Sequence, residues 1–311
     1  MPISAVLIWN PAARAARSSP ELRSQLDAHP ELEVLETTDR DAARRAVHDA
    51  VAGGAERIIA AGGDGSVSAV VAALAEADSE ARARVELAVL PLGTGNDLAR
   101  SLDMPLEPEA ALEVCLRGAA APMDVLELKR AGGRRIVANM LTAGNTGKYT
   151  DIVTDDMKAR WGPLCYMRGA VDLLQELDVF EIDLSIDGGP PERIAALNLF
   201  FANGRTSGGG LEVSPEARLD DGRLDLLAIR EGTALDLATL TLDYVFTDFR
   251  ANELVVCRQC RRIDVRAFPE IPMTADGDAL EPGDFSVSVL PAALRVVRGV
   301  PPIPPQGAAA G

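Results

Sequence analysis

The sequence predicts an α/β fold in its first part, built on a parallel sheet, and a β-rich, sandwich-like domain in its second part. Strand-like apolar runs alternate with helix-like segments up to about residue 122, which is the pattern of parallel βα units. Beyond that point, short β-like segments follow one another, separated by Gly and Pro. A chain of 311 residues with 47% apolar residues favours two domains and can bury a sizeable core.

In the first part, each strand is predicted from a short apolar run and each helix from apolar residues at helical spacing. The segment 39–52 shows this spacing clearly, and Gly53-Gly54 supplies its stop. The two later strands each run into a glycine-rich turn, and ligands of such units bind at the carboxyl ends of the strands. We predict strands at 3–9, 57–61 and 86–90, and helices at 20–29, at 39–52, after residue 66 and at 96–102.

The second part begins with a predicted hairpin, in which strands 123–129 and 134–141 flank Gly132-Gly133. A helix is predicted at 164–179, and further strands at 180–187, 193–202, 223–230, 254–268 and 285–298. The domain boundaries that follow are 1–122 for the nucleotide-binding α/β domain, 123–295 for the β-rich domain and 296–311 for a C-terminal segment. Its end is rich in Pro and Gly, and we expect it to be disordered.

Composition and charge exclude several classes of function. The net charge of −16 argues against a nucleic-acid partner and against unaided adsorption to an anionic membrane. Neither a signal peptide nor a membrane span is predicted, so we expect a cytoplasmic protein. Cys257 and Cys260 have CxxC spacing without a second pair or nearby histidines, which favours ordinary strand or loop thiols over a metal or redox site.

The most informative feature is a pair of glycine-rich turns, AGGDGSV at 61–67 and PLGTGND at 91–97. Each lies between a strand-like run and a helix-like segment, where backbone N–H groups can hold phosphate. Neither turn is a Walker A loop or a G-x-G-x-x-G motif. A lone Gly-Gly would be only a tight turn, but Asp64 and Asp97 suggest magnesium-nucleotide chemistry, directly or through water. Ser66 and Thr94 offer hydroxyl groups to phosphate oxygens.

The two turns resemble those of the diacylglycerol kinase catalytic-domain family, in its bacterial lipid kinase branch. That family has GGDGT followed by a PLGTGND-type loop. Further segments resemble the family in the same order along the chain: Asn10-Pro11, Thr37-Thr38 before Asp41-Ala42, Asn203-Gly204 with 208–210, the DDGRLD stretch at 220–225, the turn at 275–278 and the segment 290–295. These matches extend from residue 10 to residue 295, so chance similarity is improbable.

The resemblance implies an ATP-dependent kinase with a phosphofructokinase- or NAD-kinase-like N-terminal domain, acting on a lipid hydroxyl such as that of diacylglycerol or phosphatidylglycerol. It places Asp278 where the family has its proposed general base. It implies a Mg²⁺ site with the Asp221 side chain and the backbone carbonyls of Arg218 and Arg223, although a β-turn also explains this segment. The implied nucleotide contacts are Thr37, Thr38, Gly62, Gly63, Asp64, Gly65, Ser66, Thr94, Gly95, Asn96 and Asp97.

The chain also departs from the family pattern. Ser66 replaces a threonine, Ser68-Ala69 stands where the family has Asn-Glu, and Asp278 is one methylene shorter than the usual Glu. Two other hypotheses therefore stay open: a kinase of a soluble small molecule, because NAD kinases and phosphofructokinases share the GGDG turn, and a catalytically degenerate nucleotide-binding module. For a lipid substrate we expect peripheral, transient membrane contact, with a local basic patch at 158–168 as one candidate; a homodimer is left open.

Overall fold

The structure, a computed structural model, describes residues 4–11, 24, 26, 28–29, 32–145 and 177–299. Most residues of the two predicted helices, at 20–29 and 164–179, therefore lie outside the described residues. The basic group at 158–168 and residues 300–311 also lie outside them.

The N-terminal half is a parallel sheet with helices between its strands, as the sequence predicts. Its strands in the described residues are β1 (Ala5–Trp9), β2 (Leu32–Glu36), β3 (Arg57–Gly62) and β4 (Glu86–Pro91), in the order β2-β1-β3-β4. Its helices are α1 (Arg40–Ala52), α2 (Asp64–Ala75), α3 (Ser79–Arg84), α4 (Asp97–Ser101) and α5 (Pro108–Arg117). β1 and β3 are buried along their whole length, as expected for parallel strands covered on both faces.

The C-terminal half is a set of mainly antiparallel strands and confirms the predicted β-rich domain. Its elements are β5 (Ala120–Arg130), β6 (Gly133–Val137), β7 (Met140–Gly144), β8 (Phe180–Ile186), β9 (Glu192–Ala202), β10 (Thr206–Ser207), β11 (Leu211–Glu212), β12 (Leu224–Arg230), α6 (Ala234–Phe246), β13 (Val255–Cys260), β14 (Arg262–Phe268), β15 (Met273–Ala275), β16 (Asp278–Leu280) and β17 (Phe285–Val297). Within the described ranges, no helix has the length and apolar character needed to cross a membrane.

Two of the predicted strands are each divided in the structure. The segment 134–141 forms β6 and β7, because Asp276 takes the backbone N–H groups of residues 138–140 at the break. The segment 254–268 forms β13 and β14, because Asp187 accepts the N–H groups of Arg261 and Arg262 between them. In both cases a distant carboxylate competes with the strand for backbone donors.

The long strand β17 joins the two halves. It pairs antiparallel with β5 over most of its length, and its last residues also pair parallel with β4. Phe285 and Val287 pack in the hydrophobic core of the C-terminal half, whereas Leu294 and Val296 pack in that of the N-terminal half. One continuous sheet therefore connects both cores. The domain boundaries at 122/123 and 295/296 stay predictions.

The CxxC cysteines lie on the same strand, β13, three residues apart. Side chains alternate between the two faces of a strand, so Cys257 and Cys260 point to opposite faces. Cys257 is exposed and Cys260 is buried. The two thiols therefore cannot converge on one metal ion.

Candidate active site

The two glycine-rich turns lie side by side at the carboxyl ends of β3 and β4. These strands pair in parallel up to Gly62 and Pro91. A methyl group built on Gly93 would clash with the Cα atom of Gly63, so the turns pack backbone against backbone. This close approach requires glycine at the contact.

Asp64 connects the first turn to the second. Its carboxylate accepts the backbone N–H of Asn96 at 2.9 Å and that of Asp97 at 2.7 Å, at the N-terminus of α4. Burial raises the pKa of the Asp64 carboxyl, the N–H of Asp97 opposes this shift, and the nearby charge of Asp97 adds to it. A carboxylate is well placed at a helix N-terminus, where unpaired N–H groups and the helix dipole favour negative charge.

Asp97 continues the connection into the C-terminal half. Its carboxylate accepts the N–H of Gly209 at 3.1 Å and that of Gly210 at 2.8 Å. Asp64 and Asp97 therefore hold three segments of the chain together through backbone N–H groups. Their predicted role in magnesium-nucleotide chemistry, directly or through water, stays a prediction.

A cleft of about 220 Å³ opens beside the first turn and contains several of the predicted nucleotide contacts. Thr37, Gly65 and Ser66 line it, together with Asn10 and Arg40. The Asn10 amide donates to the Ser66 hydroxyl oxygen at 3.1 Å, which leaves the hydroxyl hydrogen available for a ligand. Among the described residues, no side chain caps the N-terminus of α2, and no atom lies within 4 Å of a Cβ built on Gly65. Backbone N–H groups at such a helix start are suited to bind phosphate.

Four other predicted nucleotide contacts, Thr38, Thr94, Gly95 and Asn96, do not line this cleft and have other surroundings. Thr38 is exposed and its hydroxyl donates to Asp39, the N-cap of α1, at 3.0 Å. Thr94 is exposed at the second turn. Asn96 braces that turn, since its side chain exchanges two hydrogen bonds with the backbone of Gly93. Gly95 packs so closely on Asp64 that an added Cβ would lie 2.5 Å from its carboxylate oxygen.

The turn that precedes β16 packs directly on α2. Asp276 adopts a positive φ of 47° and accepts three backbone N–H groups between β6 and β7. The buried Ser68 hydroxyl donates to the same carboxylate at 2.9 Å. Ser68, which departs from the family pattern, therefore links α2 to the turn that carries Asp278.

Asp278, the predicted general base, is held by two arginine side chains. Arg40 from the first turn of α1 and Arg135 from β6 both contact its Oδ2 atom. The Asp278 side chain remains 38% exposed. Because Arg40 also lines the cleft beside Ser66, one side chain connects that cleft to Asp278.

The predicted metal segment lies in a different place, against β5 and β17. Asp124 is buried and binds this segment through the N–H of Gly222, at 2.7 Å, and β17 through the N–H of Ala292. Burial raises the pKa of Asp124, and the charge of Asp221 raises it further. Asp220 pairs with Arg218 and Arg298, whereas the described residues contain no cation paired with Asp221.

This arrangement suits a hard cation. One Asp221 oxygen accepts the N–H of Arg223, and the other makes no hydrogen bond within the described residues. A cation at Asp221 would also offset its repulsion of Asp124. No group of three or more His, Cys, Asp or Glu side chains in the described ranges is placed to hold an ion, so the remaining ligands would be carbonyl oxygens.

Two arginines at this site were not predicted from the sequence. Arg40 follows Thr37-Thr38 at the start of a predicted helix, where a cation opposes the helix dipole, and this conflict is a usable signal. Arg135 meets Asp278 across 143 residues, and nothing in the local sequence marks it.

Comparison with known proteins identifies the family. Residues 4–128 match the family model described as diacylglycerol kinase catalytic domain. Residues 140–298 match the one described as YegS C-terminal NAD kinase beta sandwich-like domain. These matches agree with the resemblance seen in the sequence.

Relatives with curated names agree with this family assignment. Proteins named "Probable lipid kinase YegS-like" from Serratia proteamaculans and Pseudomonas aeruginosa are 33% and 34% identical to the chain. These alignments cover 86% and 88% of this chain, and 85% and 86% of those relatives.

A diacylglycerol kinase structure from Bacillus anthracis matches with a TM-score of 0.72 at 21% identity, covering 95% of this chain and 97% of that one. Yeast NADH kinase complexed with NADH shares the fold more distantly, with a TM-score of 0.55 at 15% identity over 96% and 84% of the two chains. The chain therefore belongs to the diacylglycerol kinase catalytic-domain family and carries the YegS-type C-terminal domain of its bacterial branch.

Proposed function

We propose that this protein is a lipid kinase that uses ATP and Mg²⁺ to phosphorylate a lipid hydroxyl group, such as that of diacylglycerol or phosphatidylglycerol. The names of the bacterial relatives support a lipid acceptor. The observation that carries the proposal is the position of Arg40, which lines the glycine-rich cleft and also contacts Asp278. The phosphate-binding side and the candidate base are therefore neighbours.

The residues divide the work of phosphoryl transfer. N–H groups at the start of α2 and the Ser66 hydroxyl would hold the phosphates of ATP, and Thr37 would line the same cleft. The lipid oxygen would bond to the γ-phosphorus while the bond to the ADP oxygen breaks, and Asp278 would accept the hydroxyl proton. The Mg²⁺ bound with ATP would neutralise part of the negative charge on the phosphates. Both arginines contact Oδ2 of Asp278, and no hydrogen bond reaches Oδ1 within the described residues, so Oδ1 is the oxygen that would accept the proton.

A second magnesium ion would have a structural role. Asp221 and the carbonyl oxygens of Arg218 and Arg223 would hold it, and it would fix the loop that Asp124 ties to β17.

For access to its substrate, the protein would contact the membrane surface transiently. Large apolar side chains on the C-terminal half support this contact, since Leu235 is 75% and Phe268 79% exposed. Such side chains can enter the boundary between headgroups and acyl chains.

The decisive test is transfer of labelled phosphate. The purified full chain should be incubated with γ-labelled ATP, Mg²⁺ and mixed micelles that contain diacylglycerol or phosphatidylglycerol, with NAD and sugar phosphates as soluble acceptors. We expect label on a lipid. Label only on a soluble acceptor would refute the proposal, and nucleotide binding without any transfer would favour a degenerate module.

The variant Asp278→Asn distinguishes loss of the general base from loss of the folded structure. We expect transfer to fall by about 100-fold or more, with nucleotide affinity retained. Asp284→Asn is the matched control, because Asp284 is 68% exposed and its one ion pair within the described part of the chain is a 3.8 Å contact with Arg266. Full activity of Asp278→Asn would reject Asp278 as the base.

A further inference from the structure

A second cavity, of about 340 Å³, lies between α1, α2 and the β5–β6 hairpin, and arginine dominates its wall. Two acidic residues, Asp41 and Glu76, also line it, so the five arginines leave a net lining charge of +3. This concentration of positive charge stands out on a chain whose net charge is −16. The arginines are Arg40, Arg44, Arg130, Arg134 and Arg135.

The charges of these arginines are only partly neutralised. Arg40 and Arg135 share the single carboxylate of Asp278. Arg44 pairs with Glu76 at 3.3 Å, and Arg134 shares Glu127 with a lysine. Arg130 donates to a backbone carbonyl at 3.4 Å. A surplus of guanidinium charge therefore faces the cavity, where an anion could pair with it.

The cavity adjoins the glycine-rich cleft, with which it shares Arg40 and Ala69, and extends away from the turn itself. Ala72, Ala73 and Glu76 line it from the last turns of α2, whereas Ser66 lies in the first turn. A helix rises 1.5 Å per residue, so Ala73 lies about 10 Å further along the axis than Ser66. The apolar floor formed by Ala69, Ala73 and Ile136 lowers the local dielectric and strengthens charge pairing.

We propose that this cavity binds a phosphate-bearing anion and that the bound anion draws Arg40 and Arg135 away from Asp278. Planar guanidinium groups match the oxygens of a phosphate, and two of those lining the cavity occupy the candidate base. Anion binding and Asp278 pairing therefore compete for the same two side chains. The binding itself goes beyond the kinase reaction, whereas the release of Asp278 for catalysis rests on the proposed function.

A phospholipid headgroup and free phosphate share this chemistry, so the test has an arm for each. Calorimetric titration of the full chain with inorganic phosphate measures binding of free phosphate, and sedimentation with phosphatidylglycerol or phosphatidylcholine vesicles measures binding of a lipid headgroup. The double variant Arg44→Gln/Arg134→Gln should weaken binding about tenfold. The control is Arg117→Gln/Arg193→Gln, which removes two exposed arginines elsewhere and gives the same net charge.

Two further measurements test the competition and the location. Asp278→Asn should tighten phosphate binding about two- to fivefold, because it frees Arg40 and Arg135 from a competing carboxylate. If the ion pairs of Asp278 with the two arginines only stabilised the fold, the variant would bind phosphate no more tightly than the wild type. Binding should also persist in the presence of a saturating non-hydrolysable ATP analogue, since Arg40 lines both spaces whereas the other four arginines line the cavity and not the glycine-rich cleft.

The outcomes decide the proposal. The site is supported if phosphate binding is saturable and is weakened by the cavity double variant but not by the control double variant. Stronger retention on phosphatidylglycerol vesicles than on phosphatidylcholine vesicles assigns the ligand as a lipid headgroup. The proposal is overturned if neither arm shows binding, if both double variants behave alike, if Asp278→Asn does not tighten binding, or if the ATP analogue abolishes it. None of these measurements requires phosphoryl transfer, so failure of the kinase assay would be seen separately.

Discussion

Replacing Asp64 with asparagine tests whether a carboxylate joins the two glycine-rich turns. The Asp64 side chain accepts two backbone N–H groups, at 2.9 Å and 2.7 Å, from the start of α4. Asparagine keeps the shape and one acceptor oxygen, but its amide N–H group would face one of these donors. We expect the second turn to lose its anchor, so that both the free energy of unfolding and the nucleotide affinity fall.

The size of the effect follows from these two hydrogen bonds. A hydrogen bond to a charged group contributes about 1.5–3 kcal/mol. One bond is lost in the variant, while burial of the Asp64 charge, which raises its pKa, already offsets part of the gain. A loss of about 2 kcal/mol is therefore expected, equivalent to a fall in Tm of about 3 °C for a chain of 311 residues.

The assay is thermal and denaturant unfolding without ligand, followed by nucleotide titration. Glu107→Gln is the matched control, because Glu107 also accepts two backbone N–H groups, at 3.1 Å and 2.8 Å, but within its own helix α5. Because this N-cap is exposed, its substitution should lower the free energy of unfolding by about 1 kcal/mol or less. The nucleotide affinity of this control should not change.

The pH dependence of stability provides an independent check. The pKa of Asp64 is raised above 3.8, so the folded state binds its proton more tightly than the unfolded state does. The stabilising contribution of the Asp64 carboxyl is fully present below pH 3.8 and falls as the pH rises through the raised pKa of the folded state. The Asp64→Asn variant has no such titration, so its stability deficit relative to the wild type should shrink over that window.

Two results would refute this reasoning. The first is an Asp64→Asn variant that matches the wild type in Tm and nucleotide affinity. The second is a loss of Mg²⁺-dependent nucleotide binding without any loss of stability, which would assign Asp64 to a metal instead.

Three further substitutions or measurements test other parts of the structure. Ser68→Ala should cost about 1 kcal/mol of unfolding free energy and slow transfer at unchanged nucleotide affinity, because it removes the bond to the turn before Asp278. Asp221→Asn should abolish a Mg²⁺-dependent rise in Tm that EDTA removes from the wild type; a rise retained in the variant would contradict the second metal site. Burial raises the pKa of Cys115 and Cys260 to about 12, so at pH 8 iodoacetamide should label them about 1,000-fold more slowly than in the unfolded chain, as mass spectrometry would show.

Local sequence signals predicted part of the N-terminal sheet because two of its strands run into glycine-rich turns. The segments 57–61 and 86–90 match β3 and β4 to within one residue at their ends. β2 was not predicted, since it is a five-residue strand with several exposed side chains and little periodicity. Helix α6 was missed although Thr233 and Asp236 form a capping box at its start, which is a readable signal.

The site was predictable only where it is local. The glycine-rich turns are short segments whose geometry follows from their own residues. The partners of their carboxylates are distant: Asp97 meets Gly209 across 112 residues, and Asp278 meets Arg135 across 143. Such pairs depend on how the sheet brings strands together, and one sequence without tertiary structure contains no record of them.

The bonding of the four aspartates at the site explains why only one of them suits proton transfer. Asp64, Asp97 and Asp276 accept backbone N–H groups, so displacing any of them would break a turn or a helix start. Asp278 is held by side chains of Arg40 and Arg135, which can rotate away without disturbing the backbone. A general base must gain and lose a proton while the fold stays intact. Asp278 meets this requirement, whereas the other three carboxylates keep the cleft in shape.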